Sequence, residues 1–147
     1  MVDQRRLRIP AELGRIAEVR AAVREVAVGC DAPEECENDL VQAVDEAVTN
    51  TIVHGYHGAD GWLDVTAERV DDHIVITLED EAPTFDPTTV VEPDLQTDPA
   101  RRRPGGMGIH LIRLATDSMT HRPRPGGGNI LTLTRRLARD PVTDSVA

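Results

Sequence analysis

An α+β two-layer α/β sandwich is the fold class this sequence predicts, with a mixed, mostly antiparallel sheet and helices on one face. Three observations lead there. Two windows in the N-terminal half repeat apolar residues every three to four positions, and several shorter windows alternate them at period two. The order of these windows is strand, two helices, hairpin, long polar segment, helix, hairpin. Runs of helices beside an antiparallel sheet bury one sheet face under amphipathic helices. The 147 residues suit one domain with a substantial core. No internal repeat divides it, so a single unit over residues 1–138 and a disordered tail over 139–147 are expected.

The elements follow in order. Arg5 to Ile9 alternates basic and apolar residues as a short strand closed by Pro10. Ala11 to Val28 carries Leu13, Ile16, Val19, Val23 and Val26 at helical spacing and ends at Gly29. Asp31 is placed to cap a second helix, with Pro33, Glu34 and Glu35 in its first turn, where proline and acidic residues are favoured. That helix runs to Gly55, a C-terminal glycine. Trp62 to Arg69 and His73 to Glu79 alternate on either side of Asp71-Asp72 and read as a hairpin with one buried face. A polar lid over residues 86–104 contains Pro87, Pro93, Pro99, Pro104 and the run Arg101 to Arg103. Gly105 to Gly108 opens a short apolar helix through Ile109, Leu111, Ile112 and Leu114. Asp117 to Arg122 and Asn129 to Leu137 pair as a last hairpin.

Composition removes several classes of function. A net charge of −10 disfavours nucleic-acid or anionic-membrane surfaces, where positive charge dominates binding. All sixteen basic residues are arginines, which excludes a Walker-type phosphate lysine and lysine Schiff-base chemistry. Ser118 and Ser145, the only serines, stand outside any nucleophile-elbow setting. Cys30 and Cys36 make neither a metal pattern nor a disulfide framework. No signal peptide or long apolar run is present, and a soluble cytoplasmic protein is expected.

The organising stretch is Val41 to Tyr56. On an α-helix Leu40, Val44, Ala47, Val48 and Thr51 share one face, while Glu46, Asn50 and His54 follow each other at intervals of four along a neighbouring stripe. A carboxylate at 46 can accept a proton, and an amide oxygen one turn later can ligate a hard cation such as Mg²⁺. The plainer account of that stripe is a solvated polar face. Asp80, at the end of a buried strand, is suited to accept from an exocyclic amine. Gly106-x-Gly108 at a helix N-terminus is suited to a phosphate chain. Each also has an ordinary reading, as a hairpin end and as turn chemistry.

Glu46-Ala47-Val48-Thr49-Asn50-Thr51-Ile52-Val53-His54-Gly55-Tyr56 resembles the N box of the GHKL (histidine-kinase-like) ATPase superfamily. Within it the chain is most similar to the small bacterial anti-sigma-factor serine/threonine-protein kinases, over nearly its whole length to about Leu137. The resemblance implies the Bergerat ATP-binding fold, ATP and Mg²⁺ as ligands, Glu46 as general base and Asn50 as the Mg²⁺ ligand. It places His54 in the pocket wall, Asp80 on the adenine amine, and Gly106, Met107 and Gly108 at the phosphates. Two departures stand out. Ala82, followed by Pro83, replaces the usual glycine two residues after the adenine-binding aspartate, which implies a reshaped pocket. Asn129 stands where a threonine is common, and an asparagine still donates a hydrogen bond.

The chain as given carries no phosphoacceptor helix before the domain and no transducer domain after it, so a small regulatory kinase is expected. By resemblance it binds a sigma factor and phosphorylates an anti-anti-sigma (STAS-type) antagonist, as a homodimer. The alternatives are a nucleotide-sensing anti-sigma or partner-binding module with little kinase activity, and a stand-alone switch kinase or detached histidine-kinase ATPase domain.

Overall fold

The computed structural model describes residues 3–91 and 106–138. The greater part of the expected lid, including Arg101 to Arg103, and the tail from residue 139 lie outside the described residues.

Five strands form one sheet in the order β1-β2-β3-β5-β4: β1 Gln4–Pro10, β2 Trp62–Val70, β3 His73–Asp80, β4 Ser118–Pro123 and β5 Asn129–Arg136. Every neighbouring pair is antiparallel, so the mixed sheet expected from sequence narrows to a wholly antiparallel one among the described residues. β2 and β3 meet across Asp71-Asp72, with Val70 opposite His73 and Asp71 at φ 54°. Helices α1 (Ile16–Gly29), α2 (Glu34–Asn50) and α3 (Gly106–Ala115) complete the fold.

With almost no aromatic residues, the core is built from branched aliphatics. Val19, Val23 and Val26 of α1, Leu40, Val44 and Val48 of α2, and Leu63, Val65, Ile74, Ile76 and Leu133 of the sheet are fully buried. Burying each such side chain contributes roughly 1.5–3 kcal/mol. Leu13 departs from the expected stripe. It sits in a 3-10 turn (Leu13–Arg15) ahead of α1 and is exposed.

Asp31 does not cap α2. It adopts φ 53° and closes α1, with Ala32 N–H donating to Ala27 O (2.9 Å) and Asp31 N–H to Val28 O (3.1 Å), the paired bonds of a Schellman motif. Pro33 occupies the N-cap position of α2, followed by Glu34, Glu35 and Glu37 in its first turn. At the other end, α2 passes into a π-helical turn, Thr51–Gly55, in which Tyr56 N–H donates to Thr51 O at 2.8 Å.

Two polar devices stitch the layers. Arg135 is buried on β5 and donates from both Nε (3.1 Å) and Nη2 (3.0 Å) to Asp39 Oδ2 on α2. On the open face of the sheet, Arg8 forks onto Asp64 (2.7 and 2.8 Å) and holds its carboxyl below the usual aspartate range. The Arg8 guanidinium lies 4.0 Å from the centre of the Trp62 ring, and that of Arg124, from the β4–β5 connection, lies 5.1 Å from it.

Candidate functional site

The site lies where the C-terminal half of α2, α3 at Ile112 and the Asp80 end of the sheet meet. Ala47, Asn50 and Thr51 from α2 and the turn after it face a cleft whose other walls include Leu78, Asp80, Ile112, Asn129 and Leu131. Phe85, Pro87 and His121 complete the lining. The floor is apolar because the inward rows of β3 and β5 are leucine and isoleucine, and polar groups enter only where those strands end.

Asp80 ends β3 opposite Asn129 at the start of β5. Its Oδ1 accepts from Ala82 N–H at 2.9 Å and from Asn129 Nδ2 at 2.9 Å. Oδ2 has no protein donor among the described residues and is the carboxylate edge left at the cleft wall. Burial pushes the Asp80 carboxyl above the usual aspartate range, against the opposing pull of the Asn129 and Ala82 hydrogen bonds.

Ala82 is buried, with φ outside the left-handed region, and does not line the cleft. Its methyl packs toward Gly55: a Cβ built there would lie 3.1 Å from Ala82 Cβ. Gly55 therefore serves close approach rather than a left-handed turn; the positive φ values fall at His57 (52°) and Gly58 (78°). Tyr56 straps the same corner. Its hydroxyl donates to Trp62 O (2.7 Å) and accepts from Glu81 N–H (2.8 Å), which fixes the chain next to Asp80. Gly128, at φ 119°, closes the corner from the β4–β5 side; a Cβ there would collide with Asp80 O.

Glu46 and Asn50 sit one turn apart on α2, as their spacing predicts. Both are half-buried, and Asn50 lines the cleft. Gly106, Met107 and Gly108 open α3, and Gly108 lies so close to Glu46 that a Cβ on it would come 2.9 Å from Glu46 Oε2. The structure thus sets Gly108 against Glu46, one helical turn from Asn50, and places Asn50 and Asp80 in the same cleft; no contact among the described residues places Met107 there. His54 is not brought with them. It is exposed and is not among the residues that line the cleft, because the π turn adds a residue to the helical repeat and rotates position 54 off the Glu46–Asn50 stripe.

Sequence reasoning missed His121 and undervalued Asn129. His121 occupies an inward position of β4, alternating with Met119, and its side chain is only 4% exposed. A histidine at an inward position in an alternating strand was the available signal. No group of three or more His, Cys, Asp or Glu side chains among the described residues is placed to hold a metal ion. Asn50 alone suits Mg²⁺ that arrives with phosphate oxygens and water as its remaining ligands. Among the described residues no helix is long and apolar enough to cross a membrane.

Comparison with known proteins gives this geometry a context. The model of the histidine kinase-like ATPase domain matches residues 9–135. The anti-sigma F factor of Caldanaerobacter subterraneus subsp. tengcongensis is 28% identical over 121 residues, spanning 82% of this chain and 85% of that one. The serine-protein kinase RsbW of Staphylococcus aureus is 27% identical over 145 residues, spanning 95% of this chain and 90% of that one. Among solved structures, the RsbU and RsbW domains of a Mycobacterium tuberculosis protein superpose with a TM-score of 0.64 at 23% identity, over 92% of this chain and 33% of that longer one. At that identity the superposition speaks for the fold.

Proposed function

The chain belongs to the histidine kinase-like ATPase domain family, and from that premise we propose that it is an ATP-dependent protein-serine/threonine kinase acting as an anti-sigma factor. In this reading it binds a sigma factor and phosphorylates a STAS-type anti-anti-sigma antagonist. A homodimer working in the cytoplasm belongs to the same proposal.

The observation that carries it is a carboxylate, Glu46, seated against Gly108 in the N-terminal turn of α3, one helical turn from an amide, Asn50, that shares a cleft with Asp80. Asp80 accepts from the exocyclic amine of the base. The N–H groups opening α3 face the phosphates, where the helix dipole favours negative charge. Asn50 would hold Mg²⁺, which supplies charge neutralisation on the phosphate oxygens when bound. Glu46 takes the proton of the acceptor Ser or Thr hydroxyl as its oxygen bonds to the γ-phosphorus, and the bond to the β–γ bridging oxygen breaks to release ADP. Such a transfer is mostly positioning and charge stabilisation, so the absence of lysine is no obstacle.

A nucleotide-sensing module with little kinase activity is the reading that Ala82-Pro83 would favour if it closed the pocket. The Ala82 methyl lies against Gly55 and outside the cleft lining, which supports the kinase reading. The test is transfer of labelled γ-phosphate to a STAS-type antagonist. Glu46→Gln should lower the rate by at least about 100-fold, the usual weight of a general base, while ATP still binds. Unchanged transfer in Glu46→Gln would sink the assignment, and ATP binding without transfer in the wild type would favour the binding module.

A further inference from the structure

Asn129 is buried at the cleft wall, and its amide is fully engaged. Nδ2 donates to Asp80 Oδ1 at 2.9 Å and lies 3.3 Å from Pro83 O and 3.4 Å from Ala82 O. Oδ1 accepts from Phe85 N–H at 2.9 Å and contacts His121 Nε2 at 2.8 Å. The carboxylate on one side and the backbone N–H on the other allow one orientation of the amide: nitrogen toward Asp80, oxygen toward Phe85 and His121. His121 must then carry a proton on Nε2 and donate it. Its Nδ1 lies 3.9 Å from Asp86 Oδ1, at the 3-10 turn Pro87–Thr89 that Asp86 caps through Thr88 N–H.

This arrangement has a consequence for the base. A carboxylate oxygen offers about two acceptor directions, and both of those on Asp80 Oδ1 are taken, by Ala82 N–H and Asn129 Nδ2. Oδ2 alone remains. A 6-aminopurine presents one amine to such a site, whereas guanine presents two parallel donors, N1–H and N2–H, that pair best with both oxygens of a carboxylate. We propose that Asn129, held in place by Phe85 N–H together with His121, sets the base specificity of the site by saturating Asp80 Oδ1, which favours 6-aminopurine over guanine nucleotides. The inference rests on the nucleotide-binding reading above. Asn129 is the specificity determinant, and His121 is a positioning residue that acts through it.

Calorimetric titrations of Mg²⁺-ATP and Mg²⁺-GTP into the wild type, Asn129→Ala, His121→Leu and His121→Gln test it, with thermal melts of each variant alongside. The wild type should prefer ATP by about 100-fold or more, as a site that discriminates by hydrogen-bond pattern does. That ratio should narrow roughly tenfold in Asn129→Ala and His121→Leu, the weight of one well-placed hydrogen bond. His121→Gln, whose side-chain amide can donate to the same oxygen, should restore it. General destabilisation would weaken both nucleotides together and leave the ratio alone. An unchanged ratio in both Asn129→Ala and His121→Leu, or equal ATP and GTP affinity in the wild type, would overturn the proposal. Binding of neither nucleotide would overturn the nucleotide-binding reading itself.

Discussion

Alanine at position 108 would bring a methyl group 2.9 Å from Glu46 Oε2, where ordinary contact begins at 3.4 Å. The carboxylate must therefore retreat by about 0.5 Å, or swing to another rotamer. It is the far end of a flexible side chain, so the retreat costs little in folding energy. Within a helix, alanine is also better than glycine by roughly 0.5–1 kcal/mol. Stability should then be unchanged or slightly raised, which for a domain of this size is a shift of no more than about 2–4 °C in Tm. Catalysis should respond quite differently. Misplacing a reacting group by about 1 Å can cost on the order of 100-fold. A half-ångström displacement of the proposed base should therefore lower phosphoryl transfer by about 10- to 100-fold, with a smaller loss of ATP affinity. The assay pairs single-turnover transfer from ATP to the antagonist with a thermal melt of the same preparation. Gly108→Ala that transfers phosphate at the wild-type rate would refute the placement of Glu46. A folded state weakened by several degrees would refute the argument that the carboxylate yields.

Three further outcomes follow from the site and its supports. Asp80→Asn should abolish ATP binding in calorimetry yet keep or raise stability at neutral pH. Burial raises the folded-state pKa of Asp80, so its ionisation weakens the fold as pH climbs above the ordinary aspartate range, and the amide removes that loss. Asp64 runs the other way. Its pKa is lowered chiefly by the hydrogen bond from Arg8, so its stabilisation is present above the unfolded-state pKa and fades as pH falls through the folded one. Arg8→Met should flatten that acid limb in urea melts taken at decreasing pH. Tyr56→Phe strands Glu81 N–H and Trp62 O beside the core, which should cost about 1–3 kcal/mol in chemical denaturation and weaken ATP binding through the Asp80 corner.

Much of this architecture was legible in the chain because its signals are local. The apolar face of α2 through Leu40, Val44, Ala47 and Val48 follows from helical spacing, and all four residues are buried. Both hairpins follow from period-two alternation bounded by turn residues. The misses share a cause, since each depends on hydrogen bonds that residue spacing does not encode. Asp31 suits an N-cap and a left-handed C-terminal position equally well in isolation. The competing bonds from Ala32 and Asp31 N–H back into α1 decide for the second. The π turn, with its bond from Tyr56 N–H to Thr51 O, takes His54 off the stripe that Glu46 and Asn50 share. Asn129 and His121 lie eight residues apart in sequence and meet only because β4 and β5 pair in their particular register, with His121 opposite Leu131.

Trp62 is the only tryptophan in the chain, and two guanidinium groups, from Arg8 on β1 and Arg124 in the β4–β5 connection, lie against its ring. Its carbonyl is also the acceptor for the Tyr56 hydroxyl that fixes the chain beside Asp80. The indole is thus a built-in optical probe. Its emission reports on the β1–β2 pairing through Arg8, on the β4–β5 connection through Arg124, and on the Asp80 corner through its own backbone. Unfolding should be readable by intrinsic fluorescence, with no label attached and no residue replaced.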